Sequence, residues 1–349
     1  MINRSLTFML LMASVSAVHA ATCQSGTWSG TLGKLPITLQ LEATQRDDPL
    51  SGRYYYRDAM AELELKQDPA NDRQWVEIDD KGQATGQLRL DCDGTMLTGE
   101  WRTPSGVKTL PIQAMRIPDE QYHAARLASI KPTTRGTTRI GNGSYERLVL
   151  DAAGASIQAV RLQGTSTGIL AINQSLWQQA TETLGEHLDC RAEARRERGR
   201  ASEFESNLQE DVVAWSRGYV AVSLNNEGYC GGAHPWHGES FRTYRLDTGA
   251  QEDVTQWLRE DLRQGIEKDS ALGRQLMARY RKTPNGAEPE CIDGITLSLS
   301  GVHPVAQGLA FQADAPYALT PCIEVVVLPI DVVLPFLTAE GRKALQTFR

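Results

Sequence analysis

Between Asn225 and Ser240 the chain reads NNEGYCGGAHPWHGES, and five of its side chains could do chemistry: Glu227, Cys230, His234, His237 and Glu239. Histidine, cysteine and carboxylate are zinc ligands, so one expectation is a loop metal site of His234, His237 and Glu239 serving an envelope hydrolase. The spacing works against it. His-Pro-Trp-His sets two imidazoles three residues apart, but Pro235 disfavours the helix that would bring them to one face. No HExxH pair and no GxSxG nucleophile turn occurs, and the other histidines beyond residue 20, His123, His187 and His303, stand in unrelated contexts. There is no phosphate-cradling glycine loop and no dinucleotide fingerprint. The sequence therefore assigns no catalytic residue, no metal and no cofactor.

The same stretch makes sense as a turn. Gly231 and Gly232 permit backbone angles closed to other residues, and Cys230 in a disulfide offers no thiolate. What remains is a set of binding candidates: Tyr229, His234, Trp236 and His237. Trp236 leads them, because an aromatic in an irregular connection is either a lid on the core or an anchor for a partner.

The elements that must position this stretch fall into two domains. Residues 1–20, MINRSLTFMLLMASVSAVHA, combine basic Arg4, an apolar run and small residues before a cut after Ala20, the pattern of a cleaved secretory signal peptide. A periplasmic or secreted location follows, with Cys23 either disulfide-bonded or lipidated. No other segment could span a membrane. Six cysteines in an oxidising compartment imply disulfides; order along the chain pairs Cys23 with Cys92, Cys190 with Cys230, and Cys291 with Cys322. With 36 basic against 43 acidic side chains the formal charge is −7, which argues against nucleic acid and favours a basic partner.

Residues 21–116 alternate with period two between frequent turn signals, as in PITLQLE, AELELK, QLRLD and TLPIQAM. Eight short strands are expected, near 26–32, 36–42, 51–56, 60–66, 74–79, 84–91, 95–102 and 108–115, in an antiparallel meander closing into a small barrel. The glycines of Ser51-Gly52, Thr85-Gly86 and Thr98-Gly99 read as hairpin punctuation, the alternative being a bulge or a sharp strand bend at a barrel corner, and at least one ring of Tyr54-Tyr55-Tyr56 is expected to be exposed. Residues 117–138 read as an irregular linker with a helix around 119–129. Residues 139–349 mix both periods without repeated βαβ alternation, which indicates α+β. Strands are expected near 146–151 and 157–162, then a helix capped by Asn173 with Leu176, Ala180, Leu184 and Leu188 inward. Further helices are expected from 255 to 281, breaking near Ser270, and around 330–347.

GGAHP, then FRTYRLDTG and VTQWL, resembles the RsiV-like extracytoplasmic domain family; upstream INQSLW and the closing PYALTPCIEVVVLPIDVVLPFL are similar to it as well, so the resemblance spans roughly 145–340. It implies a secreted or membrane-tethered binding domain. The name-giving member is an anti-sigma factor whose ectodomain senses lysozyme, and others are joined to polysaccharide deacetylase domains. This chain shows neither a sigma-binding segment nor a deacetylase domain, and it adds the N-terminal barrel. The expectation is a non-enzymatic envelope protein that binds a lysozyme-like muramidase or peptidoglycan.

Overall fold

The computed structural model describes residues 23–43, 50–198, 205–231 and 234–349. The expected signal peptide, the Asp47-Asp48-Pro49 turn and Gly232 lie outside the described residues. The chain divides into two units, one of residues 1–57, 63–79 and 83–122, the other of 58–62, 80–82 and 123–349.

The first unit is a closed antiparallel barrel of β1 (Gly26–Leu32), β2 (Leu35–Glu42), β3 (Ser51–Tyr56), β4 (Glu62–Asp68), β5 (Asn71–Ile78), β6 (Ala84–Cys92), β7 (Met96–Arg102) and β8 (Thr109–Ile117), with β8 returning to β1. Strand alternation puts Trp28, Leu39, Leu41, Trp75, Leu88 and Leu90 into one apolar interior. Each such burial stabilises by about 1.5–3 kcal/mol relative to exposure. Cys23 and Cys92 are bonded.

Two expectations fail here for steric reasons. Gly86 and Gly99 are close-approach positions rather than hairpin punctuation: a Cβ on Gly86 would sit 2.2 Å from Trp101 Nε1, and one on Gly99 2.1 Å from the Arg89 carbonyl oxygen. None of the three tyrosines is open. Tyr54 and Tyr55 are fully buried and Tyr56 is half-buried, because Tyr55, on the outer face, is covered edge-on by Tyr122 and donates to its carbonyl at 2.8 Å.

The barrel also encloses a carboxyl. Glu77 accepts from the Tyr54 hydroxyl, from Trp101 Nε1 at 2.8 Å and from Thr85 Oγ1 at 2.6 Å. The register of β5 and β6 slips beside it, pairing Glu77 with Gly86 and Ile78 with Ala84 so that Thr85 is left unpaired. Burial, and then the charge of Glu77, push the Tyr54 phenol well above its ordinary range.

A short helix, α1 (Gln121–Leu127), marks where the chain passes from the first unit to the second. The rest of the expected linker is partly strand, since β8 runs to Ile117 and a new strand opens at Thr133. The second unit is built on β9 (Thr133–Ile140), β10 (Gly143–Ala152), β11 (Ala155–Leu162), β12 (Glu205–Trp215), β13 (Tyr219–Tyr229), β14 (Trp236–Arg245) and β15 (Gln251–Glu252), in spatial order 15-14-13-12-11-10-9. Only β11 and β12 pair in parallel, with α2 (Thr167–Arg198) as their crossover.

One face of this sheet packs on α2 through the expected stripe Leu176, Ala180, Leu184 and Leu188. The helix starts earlier than Asn173, after Ser166, whose hydroxyl accepts from Ile169 N at 3.3 Å. Asn173 is no cap. Its carboxamide accepts from Leu162 N at 2.8 Å and donates to Leu162 O at 2.9 Å, standing in for a strand neighbour at the end of β11. Cys190 of α2 is bonded to Cys230.

Ala214 and Ala221 on the other face meet a second core with Trp257, Leu276, Phe311 and Leu328. That layer holds a small sheet of β16 (Thr296–Leu297), β17 (His303–Val305), β18 (Gly308–Asp314) and β19 (Val325–Pro329), with helices α3 (Ala271–Tyr280), α4 (Pro289–Gly294), α5 (Ile330–Val333) and α6 (Ala339–Gln346). The span expected to be helical from 255 is two single 3-10 turns before Ser270 caps α3. Gly265, at φ +142°, breaks the helical path between the second turn and α3. Cys291 and Cys322 tie α4 to the turn at 317–322.

Candidate functional site

The opening motif folds as the end of the β13–β14 hairpin. Its register pairs Asn226 with Gly238, Glu227 with His237, and Gly228 with Trp236. Cys230 anchors the hairpin to α2, and Gly231 takes φ +82°, which the turn needs and a side chain resists. Beyond this turn His234 is exposed, its ring 5.3 Å from that of Tyr317. Tyr229, at the end of β13, is half-buried.

Strand alternation separates the candidates. Trp236, Gly238, Ser240, Arg242 and Tyr244 look toward α2, as the Arg242 bond to Gln179 Oε1 and the contact of Tyr244 with Ser175 Oγ at 3.4 Å show. His237, Glu239 and Phe241 look the other way, where Phe241 stacks on His303 with ring centres 3.5 Å apart. The triad His234, His237 and Glu239 is therefore not gathered by the hairpin, and no group of three His, Cys, Asp or Glu side chains suited to a metal ion occurs among the described residues.

What the fold does assemble lies on the α2 side. A groove of ≈ 260 Å³ is lined by Gln179, Leu208, Leu224, Asn226, Trp236 and Arg242, and also by His237 and Glu239, two members of the expected metal triad. Trp236 remains 38% exposed. Its ring lies over Gly228, where a Cβ would come within 2.5 Å of Trp236 Cζ2, so this glycine admits the indole. Beside it the Oδ1 of Asn226 is shielded from solvent and has no hydrogen-bond partner. An unfilled buried acceptor costs about 1–3 kcal/mol.

Behind the groove sits Glu210, 1% exposed. Parallel pairing of β11 with β12 ends at Gln158 and Gln209, and Glu210 Oε2 then accepts from Val160 N at 2.9 Å. Its Oε1 has no partner. Burial pushes the acid up to about 8, against the lowering effects of Val160 N–H and Arg242, which favours the protonated form near neutral pH. The groove wall carries the Arg242 guanidinium together with the Glu239 carboxyl, whose pKa burial raises.

Among the described residues the outer side of β14 has no strand partner from Trp236 to Arg242, since β15 meets it at Thr243 and Tyr244. An open edge of this kind can take another chain.

Asn226, Arg242, Gln179 and Glu210 were not among the sequence candidates. A signal was present for two of them: Val220, Val222, Leu224 and Asn226 share one strand face, as do Leu208, Glu210 and Val212, so each polar residue interrupts an inward apolar series. Arg242 and Gln179 come from separate elements and carry no such mark.

No protein-family model matches the sequence, and no curated protein matches it. Among solved structures, the chain is similar to a member of the DUF3298 family from Bacteroides fragilis NCTC 9343, with 11% identity, a TM-score of 0.40, and coverage of 63% of this chain and 96% of the other. A DUF3298 family protein from Pseudomonas aeruginosa PAO1 gives 11% identity, a TM-score of 0.37, and coverage of 61% and 95%. Among the described residues no helix is long and apolar enough to cross a membrane. The three disulfides are of the kind that persist in oxidising surroundings.

Proposed function

We propose that the chain is a non-enzymatic binding protein of the cell envelope, and that its second unit engages peptidoglycan, or the lysozyme-like muramidase that cuts it, through the groove beside Trp236. The observation that carries this reading is the conjunction of an exposed indole and a buried, unfilled acceptor in one groove. Aromatic anchors bordered by polar groups are where binding energy concentrates. The resemblance of GGAHP and its flanking segments to a lysozyme-sensing ectodomain family supports the same reading, and a formal charge of −7 would steer a basic lysozyme toward the chain at low salt.

The test uses residues 21–349, oxidised, titrated against a panel of lysozymes and against purified sacculi at low and moderate salt. Trp236→Ala should weaken binding to the responding partner by at least about tenfold. Full-strength binding by the variant, or failure of every partner to bind the unmutated chain, overturns the proposal.

A further inference from the structure

We infer that the open edge of β14 pairs with the same edge of a second copy of this chain, joining the two 7-stranded sheets across a two-fold axis at Gly238. The sheet has two edges, and they are built differently. β9 is interrupted by a bulge, since Arg147 pairs with Gly136 and Leu148 with Thr134 so that Arg135 is left over, and the strand carries Arg135 and Arg139. Bulges and cations are how edge strands avoid one another. β14 instead runs along β13 without a register shift. Its residues from Trp236 to Ser240 are exposed, and among the described residues no strand lies on its outer side before Thr243.

Strand geometry fixes what this edge offers. Arg245 N donates outward to Ala250 O and Leu246 N inward to Gly218 O, so by alternation the N–H and C=O of His237, Glu239 and Phe241 point outward. A two-fold antiparallel pairing must match these outward residues with one another, which leaves few axes. An axis at Glu239 sets that carboxylate against its own copy, and like charges directly opposite destabilise. An axis at Ser240 brings His237 to Thr243, which β15 already occupies through Glu252. An axis at His237 puts Glu239 against Pro235, which has no N–H. The axis at Gly238 meets none of these obstacles. It sets His237 opposite Glu239 in both halves, each pair exchanging its backbone bonds while an imidazole donor faces a carboxylate acceptor. The ladder ends where Phe241 N–H meets the carbonyl of Pro235. Because the axis stands normal to the sheet, the α2 faces of both copies lie on one side, with each Trp236 opposite Ser240 of the other copy and the two grooves side by side.

The experiment places a cysteine on the axis. Opposed Gly238 residues form a non-hydrogen-bonded pair with Cα atoms about 4.5 Å apart, inside the range a disulfide spans, and a Cβ on Gly238 meets nothing within 4 Å. The oxidised chain of residues 21–349 should sediment as a concentration-dependent dimer with a Kd below about 0.1 mM. In a glutathione redox buffer Gly238→Cys should link two copies at least about tenfold faster than Ser240→Cys, which the pairing sets against Trp236 rather than against itself. His237→Glu brings carboxylates into opposition and should weaken the dimer by at least about tenfold, and adding Glu239→Lys should restore it. Equal linking by the two cysteine variants, or a dimer that His237→Glu leaves untouched, overturns the inference. An unmutated chain that stays monomeric throughout that concentration range overturns it as well, and leaves the edge to a different chain.

Discussion

The barrel and the mixed sheet each bury a carboxyl almost completely, and they treat it in opposite ways. Glu77 is 4% exposed and meets three donors, from Tyr54, Trp101 and Thr85. Glu210 is 1% exposed and meets one, from Val160 N, with Oε1 unfilled and Asn226 Oδ1 unfilled nearby on β13. Low dielectric strengthens a complete network and penalises an incomplete one. A bulge at Thr85 and a glycine opposite Trp101 serve the Glu77 network, so the barrel cluster is built for rigidity. The sheet leaves Glu210 Oε1 and Asn226 Oδ1 unpaired near a partly exposed tryptophan, so its polar groups are not satisfied from within as those around Glu77 are.

The largest test of this contrast is the pH dependence that Glu210 contributes. Its folded value of about 8 lies above the ordinary 4.5, so the native state holds a proton that the unfolded chain releases. Between those two values the unfolded state binds fewer protons, and stability falls as pH rises. The contribution is complete below about 4.5 and gone above about 8. Its size is on the order of 5 kcal/mol. Glu210→Gln, a neutral mimic of the protonated acid, should remove it: the stability of the natural chain relative to this variant, from urea titrations across the window, should decline by several kcal/mol. Parallel curves would mean that the carboxyl is ionised inside the sheet, and its neutrality behind the groove would go with it.

The complete network should respond to deletion rather than to pH. Glu77→Leu leaves three donors without their acceptor and should cost about 3 kcal/mol. Gly86→Ala reaches the same bonds from outside, since its Cβ would displace Trp101, at a cost of about 2 kcal/mol. The two changes break one interaction, so the double variant should be less destabilised than the sum of the single ones by about 1 kcal/mol. Full additivity would show that Trp101 does not depend on Glu77 for its place.

The two regions also differ in how well a sequence reader can see them. The barrel strands announce themselves through Ile37, Leu39 and Leu41, or Leu88 and Leu90, because a strand half-buried in a small barrel keeps strict alternation. The glycines misled: Gly86 reads as turn punctuation, and its reason, the Trp101 ring from another strand, exists only once the strands pair. In the second unit the α2 stripe was legible and its start was not, because Asn173 has the side chain of a cap yet bonds β11. Leu258, Leu262 and Ile266 kept a helical spacing over a path that is not a helix, since residues buried from several directions satisfy many periods. The motif at Asn225 to Ser240 folds as the end of a hairpin, with His237 on the strand face opposite Trp236. A signal its histidines obscured is that Asn226 interrupts the apolar series of Val220, Val222 and Leu224.

That asparagine also gives the smallest expected effect and the sharpest separation of the two regions. In a network that exists for stability, removing a buried polar group destabilises. Asn226 Oδ1 accepts no bond, so Asn226→Leu withdraws an unmet demand, extends the apolar series of Val222 and Leu224, and should change stability by less than about 0.5 kcal/mol or raise it slightly. Thr85→Ala is the matched control in the barrel, where the lost bond to Glu77 should cost about 1 kcal/mol. Denaturant midpoints of the two variants, measured side by side, decide the matter. A drop for Asn226→Leu as large as that for Thr85→Ala would show that the carboxamide already has a structural task within the protein. An unchanged midpoint would show that the half-buried Asn226 carboxamide has no role in folding, as the proposed binding role requires.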